Sequence, residues 1–520
     1  MKKSMKRVAA LALSAVMAAS LAACGGSKTS SGSNSGSTGE GGYKDTLTWA
    51  QGADVTSMDP HQGKETPAVE VTDQIFDTLM VVDAATGELK GQIAEKAEQV
   101  DDTTYVFTIR KGIKFHDGSD LTVDDVKYSL ERAMASASVS YVVDFIDSVE
   151  ANAEDNTVTV KTKFSYAPTL RNLAVPFTAI VPKAVVEADE EGFKTHPIGC
   201  GPYKFVEWKQ GDSVKLEAFD EYFGGKPATK NLVMKVIPEA AQRTIALETG
   251  EIDLAYGVVS NDVAKVQENE DLQLFEAPSM NCYYISMNMN KKPFDDARVR
   301  EAINIAIDRQ LILDTILNGT GTPADSIIAP EVFGYASPGA YEYDPERAKS
   351  LLAEAGYPDG FTTSLWVNDN QERIEVCNAI SAMLQEVGIT CAVEVMEFGR
   401  FIESTSAGEH DMGYFGWTTS TKDGDYTFYS LEHSSQQGAA GNRSFLNDPE
   451  VDKLVEAGRT TADEAERKEI YKELQVKLKE INNNAPIYYS SVVVGANKNV
   501  EGFVPDPIEY YKLDQVKVKN

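Results

Sequence analysis

The stretch Thr104–Met134, TYVFTIRKGIKFHDGSDLTVDDVKYSLERAM, changes its hydrophobic period halfway along, and that change restricts the folds open to the chain. Tyr105, Phe107 and Ile109 fall on one side of a two-residue repeat, as in a half-buried strand. Lys111-Gly112 reads as a turn, Ile113–His116 alternates again as a second strand, and Asp117-Gly118 reads as another turn. From Thr122 the period lengthens. Thr122 is an N-cap with Asp125 three residues later, and Val123, Val126, Leu130 and Ala133 form a helical stripe. The mixture recurs further on. Asp344-Pro345-Glu346 and Asp448-Pro449-Glu450 each start a helix with an Asp cap and a Pro in the first turn. The first of these is lined by Ala348, Leu351, Leu352 and Ala355, and Gly356 and Pro358 end it. Glu464–Ile481 is a long amphipathic helix with Tyr471, Leu474, Leu478 and Ile481 turned inward. Interleaved strands and helices imply an α/β protein with mixed sheets.

The N-terminus belongs to targeting rather than to this fold. Lys2, Lys3, Lys6 and Arg7 precede an apolar run, Val8–Ala23, that is short for a membrane span. Residues 1–23 therefore read as a signal peptide. Its end, Leu21-Ala22-Ala23-Cys24, resembles a bacterial lipobox, which implies cleavage before Cys24 and a lipid on its thiol. Residues 24–42 would then be a lipidated cysteine and a flexible Gly/Ser linker with a reach of roughly 25 Å. Acyl chains on Cys24 would hold the protein at a membrane surface.

Composition narrows the function. The formal net charge is −31, and loss of the basic leader makes the chain more acidic still. Nucleic-acid binding calls for a basic face, and none is visible, so acidity serves solubility. The remaining cysteines, Cys200, Cys282, Cys377 and Cys391, include no CxxC pair and read as buried free thiols. No HExxH, Walker A, G-x-S-x-G or G-x-G-x-x-G motif occurs. His61, His116, His196, His410 and His433 are scattered without ligand spacing. His116-Asp117 and His410-Asp411 read as structural, because adjacent residues of a strand face opposite ways. No catalytic residue, metal ligand or cofactor site is indicated.

Between Tyr105 and Arg132 the motifs resemble those of the extracellular solute-binding proteins of family 5, the peptide and nickel receptors of ABC importers. The shared pattern is a Tyr-x-Phe strand, Arg-Lys-Gly, Phe-His-Asp-Gly and Leu-Thr-x-x-Asp-Val. TSMDPH near Met58, HPIGCGPYKFVEW (His196–Trp208), TGEIDLA (Thr249–Ala255), NMNKKPFDDARVREAINIAIDR (Asn288–Arg309) and YDPERAKSLLAEAGYPDGF follow in the family's order. The resemblance runs from about residue 46 to the C-terminus. It implies a periplasmic-binding-protein-like II clamshell: lobe I at 43–85, 195–279 and 488–520, a small extra domain at 86–194, and lobe II at 280–487. The chain would cross between lobes near Ser279–Tyr284 and Asn484–Tyr489. The implied partners are the permease subunits of an importer, with a membrane reached through the lipid anchor. The protein is expected to be a monomer without enzymatic activity.

The resemblance also implies where a solute binds. In peptide-binding members the segment after Gly-Trp is an exposed strand edge, here Gly416, Trp417 and Thr418, with Thr419 and Ser420 also expected to line the cleft. Trp417 would be its apolar wall, with a plain core position as the alternative. Many peptide-binding members carry an Asp three residues after the Trp for the ligand ammonium, and Ser420 stands there instead. Asp423 and Asp425 are candidate replacements, with a solvated acidic turn as the alternative. The Arg that receives the ligand carboxylate in dipeptide-specific members aligns near Trp366, ahead of a helix starting near Arg373, and is missing. Arg443 is the candidate substitute, with a surface role as the alternative. A peptide or peptide-like solute is the expected ligand. The alternatives are a nickel chelate or another small solute such as an oligosaccharide and, from a different class, a membrane-tethered hydrolase.

Overall fold

The computed structural model describes residues 42–438 and 441–520. The signal peptide, Cys24 and the linker up to residue 41 lie outside the described residues. The chain opens with strand β1 (Thr46–Gln51) and helix α1 (Thr66–Ile75), then a hairpin, β2 (Met80–Val82) and β3 (Leu89–Gly91). Next come β4 (Ala94–Asp101), β5 (Thr104–Ile109), helix α2 (Val123–Ala135), β6 (Ile146–Asn152) and β7 (Thr157–Thr162). These four strands form a separate antiparallel sheet in the order β4-β5-β7-β6. Helix α2 closes it, and Phe107, Ile109, Phe115, Val126, Leu130 and Val160 fill the space between.

The chain then lays down β8 (Tyr203–Lys209), β9 (Ser213–Ala218), β10 (Asn231–Val236), β11 (Leu254–Ala255), β12 (Leu272–Met287) and β13 (Thr322–Pro323). Helix α3 (Pro345–Glu354), β14 (Phe361–Asn368), helix α4 (Gln371–Glu386), β15 (Ile389–Met396) and β16 (Met412–Thr418) follow. Helices α5 (Gly424–Glu432), α6 (Pro449–Thr460) and α7 (Glu464–Ile481) lead into β17 (Asn484–Asn497). Among the described residues these strands make one eleven-stranded mixed sheet with the path β15-β14-β16-β12-β17-β11-β1-β10-β9-β8, and β13 pairs with β17 off this path.

Two long strands give this sheet two lobes. At the β1 end the core is Leu47, Trp49, Tyr203, Leu232 and Met234. At the β16 end both faces are covered, by Ile285, Phe294, Ile380 and Tyr414 on one side and Tyr284, Phe401, Phe415 and Tyr471 on the other. Among the described residues only β12 and β17 run through both ends. Their register breaks between Pro278↔Ser491 and Cys282↔Tyr489, so Ser279–Asn281 oppose Ser490 alone. Such a bulge interrupts ladder bonding and bends the strand, which makes it the joint between the lobes. Tyr488 and Tyr489 pack in the cores of the β16 end, so the crossing lies beyond Tyr489, at Ser490, and not at the expected boundary after residue 487. Ala179, Val181, Val186 and Phe193 pack in the β1-end core, although the resemblance places 86–194 in the extra domain.

Local expectations fare well with one exception. Thr122 and Asp125 form a capping box, Asp344 and Asp448 cap their helices, and α7 has the expected bounds. Cys200, Cys282, Cys377 and Cys391 are buried and free. Ile113–His116, however, is no strand. It pairs with its own turn, through Phe115 N–H to the Ser119 carbonyl and Leu121 N–H to the Ile113 carbonyl, so its alternation buries Ile113 and Phe115 without a sheet partner.

The motif HPIGCGPY has a steric meaning. Gly201 N–H donates to the Ile75 carbonyl at 2.8 Å, where α1 ends. A Cβ on Gly199 would stand 2.0 Å from the Ile75 oxygen, and one on Gly201 2.6 Å from the Ile75 carbonyl carbon. We expect Gly199→Ala to destabilise the protein by about 2–3 kcal/mol, the upper range for overpacking a rigid site, as read from thermal unfolding. A neutral substitution would contradict this packing.

Candidate functional site

The site is built on the outer edge of β16. Along one edge, β16 pairs antiparallel with β12 from Met287↔Met412 to Asn281↔Thr418. Along the other, β14 meets it only at Leu365↔Met412 and Trp366↔Gly413 before turning away into α4. Thr419 N–H donates to the Met280 carbonyl. In an antiparallel ladder the backbone groups alternate in direction. Trp417 and Phe415 therefore bond toward β12, and Gly416 and Thr418 point outward. Among the described residues no strand covers that edge beyond Gly413. The Thr418 carbonyl accepts from Ser420 N–H, which leaves the Gly416 N–H and carbonyl and the Thr418 N–H for an added strand.

Side chains divide between the two faces. On one face, a Cβ at Gly416 would meet the Tyr283 ring at 2.8 Å and Arg373 Nη2 at 3.3 Å. Glycine here keeps the edge accessible beside two large groups. On the other face, the half-buried Trp417 stacks on Tyr426 with centroids 5.2 Å apart, and its indole N–H donates to Thr427 Oγ1 at 3.1 Å. Its orientation is thus held before any solute arrives.

Four candidates belong elsewhere. Thr419 is buried, its hydroxyl engaged with Thr427 Oγ1 at 2.7 Å and its N–H given to Met280. Asp423 is 0% exposed and bound by both Nη atoms of Arg467, at 3.1 and 2.8 Å. Asp425 is buried too, with Arg459 Nε at 3.1 Å and the Tyr166 hydroxyl donating at 2.8 Å. These carboxylates are neither free for a ligand ammonium nor a solvated turn, because arginines of α6 and α7 already pair with them. Burial pushes the Asp425 carboxyl up, and Arg459 opposes that shift. Arg443 is also buried rather than on the surface. Its Nε and Nη1 find no hydrogen-bond partner, and it lines neither inter-lobe cavity described below. Burial lowers its pKa.

Arg373 is the cation that sequence reasoning passed over. Asn370 caps α4, which sets Arg373 in the first turn. Its guanidinium lies over the Tyr283 ring at 5.2 Å and donates to Asn368 Oδ1 at 2.9 Å. The signal was the Asn cap itself, which points the first helical turn toward the place where β14 leaves β16.

The lobes meet across two cavities. One, with about 520 Å³ of empty space open to solvent, is lined by Asp73, Arg171, Ser420, Lys422, Asp506 and Lys512. The other, of about 950 Å³, is lined by Tyr256, Tyr283, Glu372, Tyr488, Glu509 and Tyr511 among others. Bonds cross between the lobes around them. Lys422 Nζ reaches Asp506 at 2.6 Å with both side chains under 10% exposed. Ser260 Oγ donates to Glu372, and from the small domain Ser165 Oγ donates to the Thr460 carbonyl and Ala167 N–H to the Arg459 carbonyl.

Lys422 is the costliest of these to leave alone. Breaking a buried pair by removing one charge costs about 3–5 kcal/mol, and opening the lobes returns Lys422 to water. Asp506→Asn keeps the Oδ1 that accepts Ile508 N–H. We expect this variant to shift the empty protein toward an open form with a larger radius of gyration by small-angle scattering. An unchanged radius would contradict a closing role for the pair.

Comparison with known proteins bears on the family and the fold. Residues 88–439 match the profile of the bacterial extracellular solute-binding proteins, family 5 Middle. The glutathione-binding protein GsiB of Salmonella typhimurium is 30% identical over 481 residues, covering 90% of this chain and 94% of the relative. The dipeptide-binding protein of Escherichia coli K12 is 30% identical over 479 residues, covering 86% and 89%. Among solved structures, the periplasmic binding protein DppA from Helicobacter pylori, in complex with the peptide STSA, superposes with a TM-score of 0.79. It is 28% identical, over 91% of this chain and 98% of that one.

Proposed function

Since the chain belongs to family 5 of the bacterial extracellular solute-binding proteins, we propose that it captures a peptide or peptide-like solute between its lobes and delivers it to the permease of an ABC importer. The observation that carries this reading is the uncovered edge of β16 at the cleft. An extended ligand laid along Gly416 and Thr418 would gain backbone hydrogen bonds that ignore side-chain identity. Trp417 would supply an apolar wall on one face and Arg373 a cation on the other. Ser420 sits at the end of the strand, its N–H already turned back to Thr418. The relatives named above support the ligand class, since their names specify glutathione and dipeptides.

The relatives are binding proteins, and transport needs capture and release without chemistry. Closure about the β12–β17 break supplies both. In this reading Cys24 carries the lipid, and the Gly/Ser segment keeps the lobes near the permease on the outer face of the membrane. The division into lobe I, extra domain and lobe II is part of the same proposal, with the crossing moved to Ser279–Asn281 and Ser490.

Backbone recognition has a direct test. Titration calorimetry with a bound tripeptide and its singly N-methylated analogues separates amide bonding from side-chain fit. At the position facing Gly416, N-methylation should cost about 1.5 kcal/mol, roughly tenfold in affinity. Tolerance of methylation at every amide would contradict strand addition at β16. Glycine at 416 is part of the same account. Gly416→Val should abolish binding, because its side chain would fill the space beside Tyr283 and Arg373.

A further inference from the structure

Glu509 sits in the left-handed region of backbone space, at φ 66°, a conformation long side chains seldom adopt. The turn that imposes it is tightly tied. Glu509 N–H donates to the Asp506 carbonyl, and Ile508 N–H to Asp506 Oδ1 at 2.9 Å. The Pro507 carbonyl between them accepts from Met280 N–H at the lobe joint. Strained residues of this kind concentrate where a side chain must be aimed. Here the result is a carboxylate on the wall of the larger inter-lobe cavity, with the Tyr256 hydroxyl donating to Oε2 at 2.7 Å.

The rest of the lining is unusual in composition. Four tyrosines face the cavity from both lobes, Tyr256 and Tyr511 on one side and Tyr283 and Tyr488 on the other. Glu372 is the second acid, and the lining contains no lysine, arginine or histidine. Arg373 stands over Tyr283 and is tied to Asn368. Tyr283 and Tyr488 stack on each other with centroids 4.7 Å apart, and Arg243 lies over the Tyr256 ring, so a cation in this cavity is held chiefly by the carboxylate, with tyrosine hydroxyls able to accept its hydrogen bonds. Burial pushes the Glu509 carboxyl up, a shift that a cation beside it reverses.

We propose that this cavity is the subsite for a positively charged group of the captured solute, an ammonium or guanidinium, with Glu509 as its counter-ion and the four tyrosines as its walls. The proposal rests on the solute-capture reading above. It moves recognition of positive charge away from Asp423 and Asp425, which arginines already neutralise.

The test measures binding of Ala-Lys-Ala, Ala-norleucine-Ala and Ala-Glu-Ala, each with a free or acetylated N-terminus, to the protein and to Glu509→Gln. Gln keeps an acceptor for Tyr256 and nearly the same volume. Should it fail to fold, Glu509→Asn relieves the backbone strain and removes the charge. We expect the cationic probe to bind about tenfold or more tighter than its neutral counterpart and the substitution to erase that margin. A margin between lysine and norleucine places a side chain in the subsite. A margin between free and acetylated termini places the α-ammonium there. The proposal is overturned if neither margin exists, or if Glu509→Gln weakens charged and neutral probes equally. Should no peptide bind, the peptide reading fails and agmatine tests the subsite by itself. Saturable agmatine binding that Glu509→Gln removes keeps the subsite, and its absence ends it.

Discussion

Everything in this molecule depends on the pairing of β12 with β17. Among the described residues these are the two strands of the large sheet that belong to both lobes, and their antiparallel ladder runs from Leu272↔Asn497 to Ser286↔Asn484 with a wide break at Ser279–Asn281 and a one-residue shift between Tyr283 and Tyr284. A ladder of backbone bonds is stiff along its length, whereas a bulge is the one place where it can bend without losing a core. The break at Ser279–Asn281 concentrates relative motion of the lobes at one line. The C-terminal turn at Pro507 is bonded to that line through Met280 and Ser279. Motion there is thereby coupled to Asp506 and Glu509, which face the two cavities.

The second organising fact is how buried charge is handled. Asp423 and Asp425 lie beside the candidate edge, and both are enclosed with arginines from α6 and α7. Their work is to dock these helices and, through Tyr166, to meet the small antiparallel domain. Lys422, between them and the edge in sequence, is left to pair across the cleft with Asp506. One short loop thus carries a structural ion-pair cluster and an inter-lobe contact, and its acids are unavailable to a solute. In the proposal made above, recognition of positive charge falls instead to Glu509, whose Oε2 is held by the Tyr256 hydroxyl rather than by an arginine.

Much of this was legible in the sequence, for physical reasons. Caps and periodicity are local, so Thr122, Asp344, Asp448 and the α7 stripe found their elements. Framework motifs mark close approaches that tolerate no substitution, as Gly199 and Gly201 show against Ile75. The edge at Gly416–Thr418 was legible because the resemblance carried it. What stayed hidden was long-range pairing. Nothing near Asp423 in sequence reveals Arg467, and nothing near Glu509 reveals Tyr256. Ile113–His116 misled because alternation reports burial on one side, not the presence of a neighbouring strand. Arg373 was overlooked because its position matters only once β14 is seen to leave β16.

The central claim is that a solute completes the edge of β16. Amide hydrogen exchange tests it most directly, comparing the protein as purified with its bound solute to the same protein after stripping. The account predicts that the Gly416 and Thr418 amides exchange quickly in the stripped protein and become strongly protected when the solute is present, while Trp417, bonded to β12, changes little. Solute binding that leaves the Gly416 and Thr418 amides unprotected would contradict it.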